Sequence, residues 1–243
     1  MYPPKLGPTQ PPKPVQAPPK LAQAPPKFAQ APPKLAQAPQ NPTHPQFPAK
    51  YRYAGVLPFA KVPSEIALSG IVFLIGREHV EANWTGSNSW SDFGGAPDGT
   101  ERPDEAGARE FWEETMGILG NEEELLGKVR GTALPTMLPN SIGVMWLLPI
   151  KYDPDLPTRF ENVYAYMMKC STPHPTKKGF NYVASCPDGW LEKTAMMWIS
   201  ARRLRGAATG AWDKSWGEMP RFRPELLSSV RQAISQHPSL FPV

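Results

Sequence analysis

Cysteine is almost absent: of 243 residues only Cys170 and Cys186 carry a thiol, and they form no C-x-x-C pair. That excludes a disulfide framework, and it fits a reduced intracellular protein acting in the cytoplasm, although a hairpin could bring the two thiols close. Long apolar runs are missing as well. The stretches 66–75 and 142–150 fall well short of the ~20 apolar residues a membrane span needs, and both read as buried strands. The start of the chain lacks the charged-then-apolar pattern and cleavage site of a secretory leader, so secretion is not expected. His79, His174 and His237 have no partner at metal-ligand spacing and read as surface residues. Acid is missing from the first 64 residues, which carry Lys5, Lys13, Lys20, Lys27, Lys34, Lys50, Arg52 and Lys61. The remainder holds 18 basic against 22 acidic side chains, so the overall charge of +4 hides a basic extension on a mildly acidic body.

Proline is what the extension has in excess. Of 32 prolines, 16 precede Ala49, many in Q-A-P-P-K-(L/F)-A units that recur every seven residues from Gln16 to Ala36. A seven-residue period suits a coiled coil, but two prolines per unit remove helical donors and clash with the preceding turn. The expectation is a disordered or polyproline II extension over residues 1 to 48, followed by one domain over residues 49 to 243. Three roles stay open for it: a P-x-x-P ligand for an SH3-like aromatic groove, a basic tether to nucleic acid or an acidic partner, and a solubilising spacer.

In the body, residues 51–59 and 66–75 are rich in β-branched and aromatic side chains and read as strands. Residues 90–93 read as a short strand ending in Gly94-Gly95, and the loop 96–102 feeds a helix from about Pro103 to Leu119, with Pro103 tolerated in its first turn. One further helical turn is expected at 121–126, strands at 141–151, 162–169 and 191–199, and an amphipathic helix at 224–237 with Leu226, Leu227, Val230 and Ile234 on one face. Strands around one central helix with another helix at the end argue for a mixed sheet between helical layers.

The central helix carries the chemistry. At about 100° per residue, Ala108, Trp112, Thr115 and Leu119 stack on one side, while Glu110, Glu113 and Glu114 project roughly opposite as an acidic stripe. Carboxylates at i,i+3 and i,i+4 repel and raise one another's pKa. A divalent cation would remove that penalty, and oxygen ligands without His or Cys favour Mg²⁺ or Mn²⁺ over zinc. An isolated E-x-x-E-E is also compatible with a plain solvated helix face.

The residues upstream narrow the choice. Gly95, five residues, Glu101, seven residues, then Arg109-Glu110-Phe111-x-Glu113-Glu114 closely resembles the Nudix box, G-x5-E-x7-R-E-U-x-E-E-x-G-U, with U apolar. One letter departs: the last Gly of the box falls on Met116, with Gly117 one place later, so the helix is expected to run one residue longer. The resemblance implies an α/β/α sandwich and hydrolysis of a nucleoside diphosphate linked to another group. It further implies that Glu110, Glu113, Glu114 and the Gly94 carbonyl hold metal, and that Glu110 or Glu114 activates the water. Arg109 would fix the carboxylates, and Glu101 and Gly95 would complete the loop near the substrate. W-S-D-F-G-G followed by R-E-F-W-E-E-T is similar to Nudix proteins of large DNA viruses and microbial eukaryotes, a group that includes mRNA decapping enzymes, which makes capped RNA a candidate substrate. A non-catalytic nucleotide- or protein-binding module with a proline-rich tail is the alternative, though such relatives tend to lose the glutamates present here.

Outside the box the candidates are Glu192, as a further acid, and Lys177 and Lys178, in a segment that mixes cations with Phe180 and Tyr182 and suits phosphate binding and base stacking. Arg202, Arg203 and Arg205 read as a solvated basic helix face. Trp84, Trp90, Trp212 and Trp216 lie in polar surroundings where they could stack on a base or simply pack.

Overall fold

The computed structural model describes residues 50–81, 83–139, 142–177 and 179–242. The expectation of a disordered extension over residues 1 to 48 lies outside the described residues, as do Ser141 and Lys178.

The core is a seven-stranded mixed sheet. β1 (Tyr53–Lys61) pairs antiparallel with β2 (Ile71–Glu78) and with the short β4 (Phe93–Gly95), and parallel with β6 (Gly143–Pro149). β3 (Trp90–Ser91) and β9 (Lys193–Ser200) flank β2, and β5 (Leu134–Met137) lies outside β6, all antiparallel. The central strands are apolar without a break because both faces are covered. Leu57, Phe73, Ile75, Met145 and Leu147 point to one side, where α4 (Ala201–Thr209) and α5 (Pro224–Gln236) contribute Leu204, Leu226 and Val230. Their neighbours Val56, Leu74, Val144, Trp146 and Leu148 point to the other, against α1 (Pro103–Glu114), α2 (Glu122–Thr132) and α3 (Leu156–Cys170). The expected α/β/α sandwich is therefore present. A small hairpin of β7 (Thr172–Pro173) and β8 (Asn181–Tyr182) stands apart from the main sheet. Among the described residues no helix is long and apolar enough to cross a membrane, and Cys170 and Cys186 are free.

Four expectations change. The buried strand expected over 66–75 begins only at Ile71, and Ile66 and Leu68 before it are exposed. The segment expected as a strand at 162–169 belongs to α3: Val163, Tyr164 and Tyr166 favour strands locally, but Leu156, Phe160, Tyr164 and Met167 recur at helical spacing. Leu156 and Phe160 are buried on the sheet, Tyr164 and Met167 pack against the same cluster, and tertiary burial overrides propensity. The single turn expected after Asn121 is the full helix α2, begun by a capping box in which Asn121 Oδ1 accepts from Glu124 N at 2.9 Å. α1 does not run to Leu119. It stops at Glu114, and Met116 takes the left-handed conformation at φ 51°, followed by Gly117 at 68°. Met116 thus bends the chain where the box has glycine, at a cost of about 1–3 kcal/mol. Its side chain, 4% exposed among Phe111, Leu125 and Val129, recovers a comparable amount by burial.

Candidate active site

The site is built where β4 meets α1. Gly94 pairs with Gly55 across the sheet, and a side chain at Gly94 would collide with the Gly55 backbone and the Ala54 carbonyl. At Gly95 a Cβ would sit 2.6 Å from the Glu110 carboxylate. Two glycines in a row therefore let acids on α1 press against the strand backbone. Glu114 Oε2 accepts a hydrogen bond from Gly94 N at 2.8 Å.

Arg109 organises the outer half. Its Nε and Nη2 donate to the two oxygens of Glu101 at 2.9 and 3.1 Å, the forked geometry a guanidinium suits. Nη1 lies 3.0 Å from both Glu110 and Glu113, and Nη2 also donates to the Ala96 carbonyl. Glu101 Oε2 accepts from Asp98 N, and the Glu101 carbonyl accepts from Tyr51 Oη. Burial pushes the Glu101 carboxyl up, but Arg109 and the Asp98 N–H outweigh it and hold it below its ordinary value.

The inner half contradicts the expectation of an exposed acidic stripe. Glu114 is only 4% exposed, because with Phe111 one turn before it this residue shares the sheet-facing side of α1. Its Oε1 meets Lys193 Nζ at 3.0 Å, and that ammonium, itself buried, donates to Glu78 Oε1 at 2.7 Å and to Ser91 Oγ at 2.8 Å. Arg223 Nη1 reaches the same Glu78 oxygen at 3.1 Å. Beside them the buried Asp92 accepts from Tyr53 Oη at 2.7 Å, and its carboxyl is raised by burial. Glu78 is also pushed up by burial, yet Lys193, Ser91 and Arg223 bring it below its ordinary value. With Lys193 already shared, Glu114 is raised well above the carboxylate range by burial, with Glu78, Glu110 and Glu192 adding to it.

Glu192, next to Lys193 at the mouth of β9, joins the cluster: its charge raises Glu110, Glu113 and Glu114, and it is itself raised by burial. Burial, with Glu113 and Glu192 adding, lifts Glu110 to about 7. Glu113 is raised chiefly by burial too, and the loop before β9 covers it, since a Cβ on Gly189 would sit 2.7 Å from its carboxylate. Lys177 reaches the edge of the site, 3.9 Å from Glu192, with its ammonium 6.0 Å from the Phe180 ring centroid.

The structure thus gathers Gly94, Gly95, Glu101, Arg109, Glu110, Glu113, Glu114 and Glu192, with Lys177 at the rim. It adds Glu78, Asp92, Lys193 and Arg223, which sequence reasoning missed. The available signal was a charged residue at the end of each of two apolar strands, Glu78 closing β2 and Lys193 opening β9. The histidines are not the surface residues expected. The His79 side chain is 14% exposed, stacked on Trp84 and against Phe180. His174 accepts backbone hydrogen bonds from Thr176 and Lys177, and His237 Nε2 lies 3.0 Å from the Pro135 carbonyl.

Glu110, Glu113, Glu114 and Glu192, all raised chiefly by burial and the first three also by acidic neighbours in the set, form a donor set that a hard divalent cation would relieve. Among the described residues no three His, Cys, Asp or Glu side chains stand already poised around an ion. Arg109 and Lys193 hold the carboxylates instead.

No family model matches the chain, and no curated protein matches it. Solved structures similar to it include Nudix hydrolases. One is RenU, a Nudix hydrolase from M. smegmatis, at TM-score 0.36 and 16% identity over 79% of this chain and 91% of that one. A second is a C. elegans Ap4A hydrolase binary complex, at 0.33 and 15% over 76% and 99%. A third is a bifunctional NMN adenylyltransferase/ADP ribose pyrophosphatase from Francisella tularensis, complexed with AMP and an Mn ion, at 0.37 and 13% over 79% and 43%.

Proposed function

We propose that this chain is a divalent-metal-dependent Nudix pyrophosphohydrolase that cleaves the diphosphate of a nucleoside diphosphate linked to a second moiety. The observation that carries the reading is the placement of the box: Gly94 and Gly95 bring Glu110 and Glu114 onto the strand backbone while Arg109 binds Glu101, Glu110 and Glu113 at once. Glu110, Glu113 and Glu114, with the Gly94 carbonyl, are the groups that would hold Mg²⁺ or Mn²⁺. A cation held there would supply charge neutralisation for the diphosphate and acidify the attacking water.

The protein's own groups do the rest. Both oxygens of Glu114 already accept hydrogen bonds or an ion pair, from Gly94 and Lys193, so this carboxylate is fixed in place. Glu110 keeps more exposure, 13% against 4% for Glu114, and it is the group we assign to orient the attacking water and take its proton. Water adds to one phosphorus, the bridging P–O bond breaks, and each product leaves with a terminal phosphate. Lys177 at the rim suits a phosphate of the departing group.

Within this class capped RNA is the substrate we favour for testing, because a basic proline-rich segment precedes Tyr51, which is bonded to the Glu101 loop. The experiment is a metal-dependent hydrolysis panel: capped RNA, dinucleoside polyphosphates, nucleotide sugars, nucleoside triphosphates and inositol pyrophosphates. It is run on the full chain and on Glu110→Gln. Turnover of any diphosphate that the variant loses supports the hydrolase; turnover that survives in the variant moves the chemistry elsewhere. If no methylated guanosine diphosphate is released from capped RNA, decapping is dropped and the hydrolase is retained.

A further inference from the structure

Two sequence features that the hydrolytic centre does not use, the arginines after Ser200 and the tryptophans around Asp213, meet in one place. α4 ends at Gly210, whose left-handed φ of 74° turns the chain back, and a short 3-10 turn at Lys214–Trp216 lays Trp216 under Arg202, 5.7 Å from guanidinium to ring. Gly206 makes room for that ring, because a Cβ there would meet it at 2.9 Å. The result is a cavity of about 510 Å³ walled by Tyr152, Trp198, Trp212 and Trp216, with Arg202 and Arg203 on its edge. That volume lies within the range of small-ligand sites.

Its chemistry is specific. The indole N–H groups of Trp198 and Trp212 are already given to the Asp153 and Gly217 carbonyls, at 2.8 and 3.0 Å, so what these rings offer a ligand is aromatic surface and no further donor. Arg203 is exposed and forms no ion pair among the described residues, while Arg202 lies over Trp216 and within electrostatic reach of Asp213. Exposed Glu218 lines the same cavity. The site is also remote: β9 runs from Lys193, bonded to Glu114, to Ser200 at the cavity, seven steps or roughly 23 Å of strand.

We propose that this cavity is a second nucleotide-binding site, taking a guanine nucleotide with its base on the tryptophans and its phosphate on Arg202 and Arg203. Aromatic rings stack any base, exposed guanidinium groups select the phosphate, and a carboxylate accepts the parallel N1–H and N2–H donors that guanine has and adenine lacks. The rival occupant, the chain's own proline repeats, brings a lysine in every unit toward two exposed arginines.

The test uses GMP, which has no anhydride to hydrolyse, with AMP and inorganic phosphate as comparison probes, by calorimetry on the full chain. GMP is expected to bind better than AMP and inorganic phosphate. Arg203→Glu is expected to weaken GMP by about tenfold or more, and Glu218→Gln to bring GMP and AMP to within about twofold. Glu110→Gln should leave GMP binding unchanged, and neither Arg203→Glu nor Glu218→Gln should alter hydrolysis of a small diphosphate. GMP binding that ignores Arg203→Glu, that disappears in Glu110→Gln, or that a peptide spanning residues 16 to 36 displaces would overturn the assignment.

Discussion

The site joins two charge clusters of opposite construction. The outer one, Arg109 with Glu101, Glu110 and Glu113, comes from a single stretch of loop and helix and keeps contact with solvent. The inner one, Lys193 with Glu78, Glu114 and Arg223, is drawn from β2, α1, β9 and the start of α5, and its lysine is 1% exposed. On the proposed function the outer cluster, with more contact with solvent, stands nearest to where charge would change during reaction. The inner one is held on all sides and fixes the Glu114 carboxylate. On that reading, charge that is locally coded serves the chemistry, while charge assembled from a distance sets geometry.

The largest test of that division is Glu110→Gln. If Glu110 orients the water as proposed, its loss is expected to lower turnover by roughly 10²–10⁴-fold while the unfolding midpoint changes little, as steady-state kinetics beside thermal melting would reveal. A melting point that collapses along with the rate would erase the contrast. Next comes Lys193→Met, which leaves buried Glu114 without its cation and Glu78 with only Arg223 and Ser91, and should destabilise the fold by about 3–5 kcal/mol, measured by urea denaturation. The double change Lys193→Met with Glu78→Gln should cost less than the sum of the single changes, since the two residues form one buried network. Arg109→Lys keeps the charge and loses the fork, so a fall in turnover with a modest loss of stability, about 1–2 kcal/mol, is expected. If lysine serves as well as arginine there, the outer cluster is only an ion cloud.

The smallest effect concerns pH. Glu110 is raised from 4.5 to about 7 by burial and its acidic neighbours, so the folded metal-free protein binds a proton that the unfolded chain releases. Stability from this group is full below 4.5 and is lost as pH rises toward 7; Glu78 and Glu101, held low, act in the opposite sense and only below the ordinary carboxylate value. Melting of the metal-free protein should therefore rise on mild acidification between these limits, and saturating Mg²⁺ should flatten the profile. A profile that Mg²⁺ leaves unchanged would separate Glu110 from the cation.

Much of this was legible in the sequence. The apolar runs of β1, β2 and β6, the run from Gly94 to Glu114 and the amphipathic 224–236 helix are local patterns, and local patterns survive folding. The reading of α3 as a strand failed because its aromatic and β-branched residues suit either state until the sheet claims Leu156 and Phe160. The expectation of an exposed Glu114 failed for a related reason: a helical wheel shows which residues share a side, but not how deep that side is buried.

The chain by itself determined the spacing of Arg109, Glu110, Glu113 and Glu114, because positions one to five residues apart on a helix have little freedom once the helix forms. Only the tertiary structure decided that Lys193 and Arg223 would meet Glu78 beside Glu114, or that Arg202 would lie over Trp216 at the far end of β9. Pairings such as Lys193 with Glu78, 115 residues apart, depend on strand register and helix docking, which are settled by burying both faces of the sheet and by no single segment.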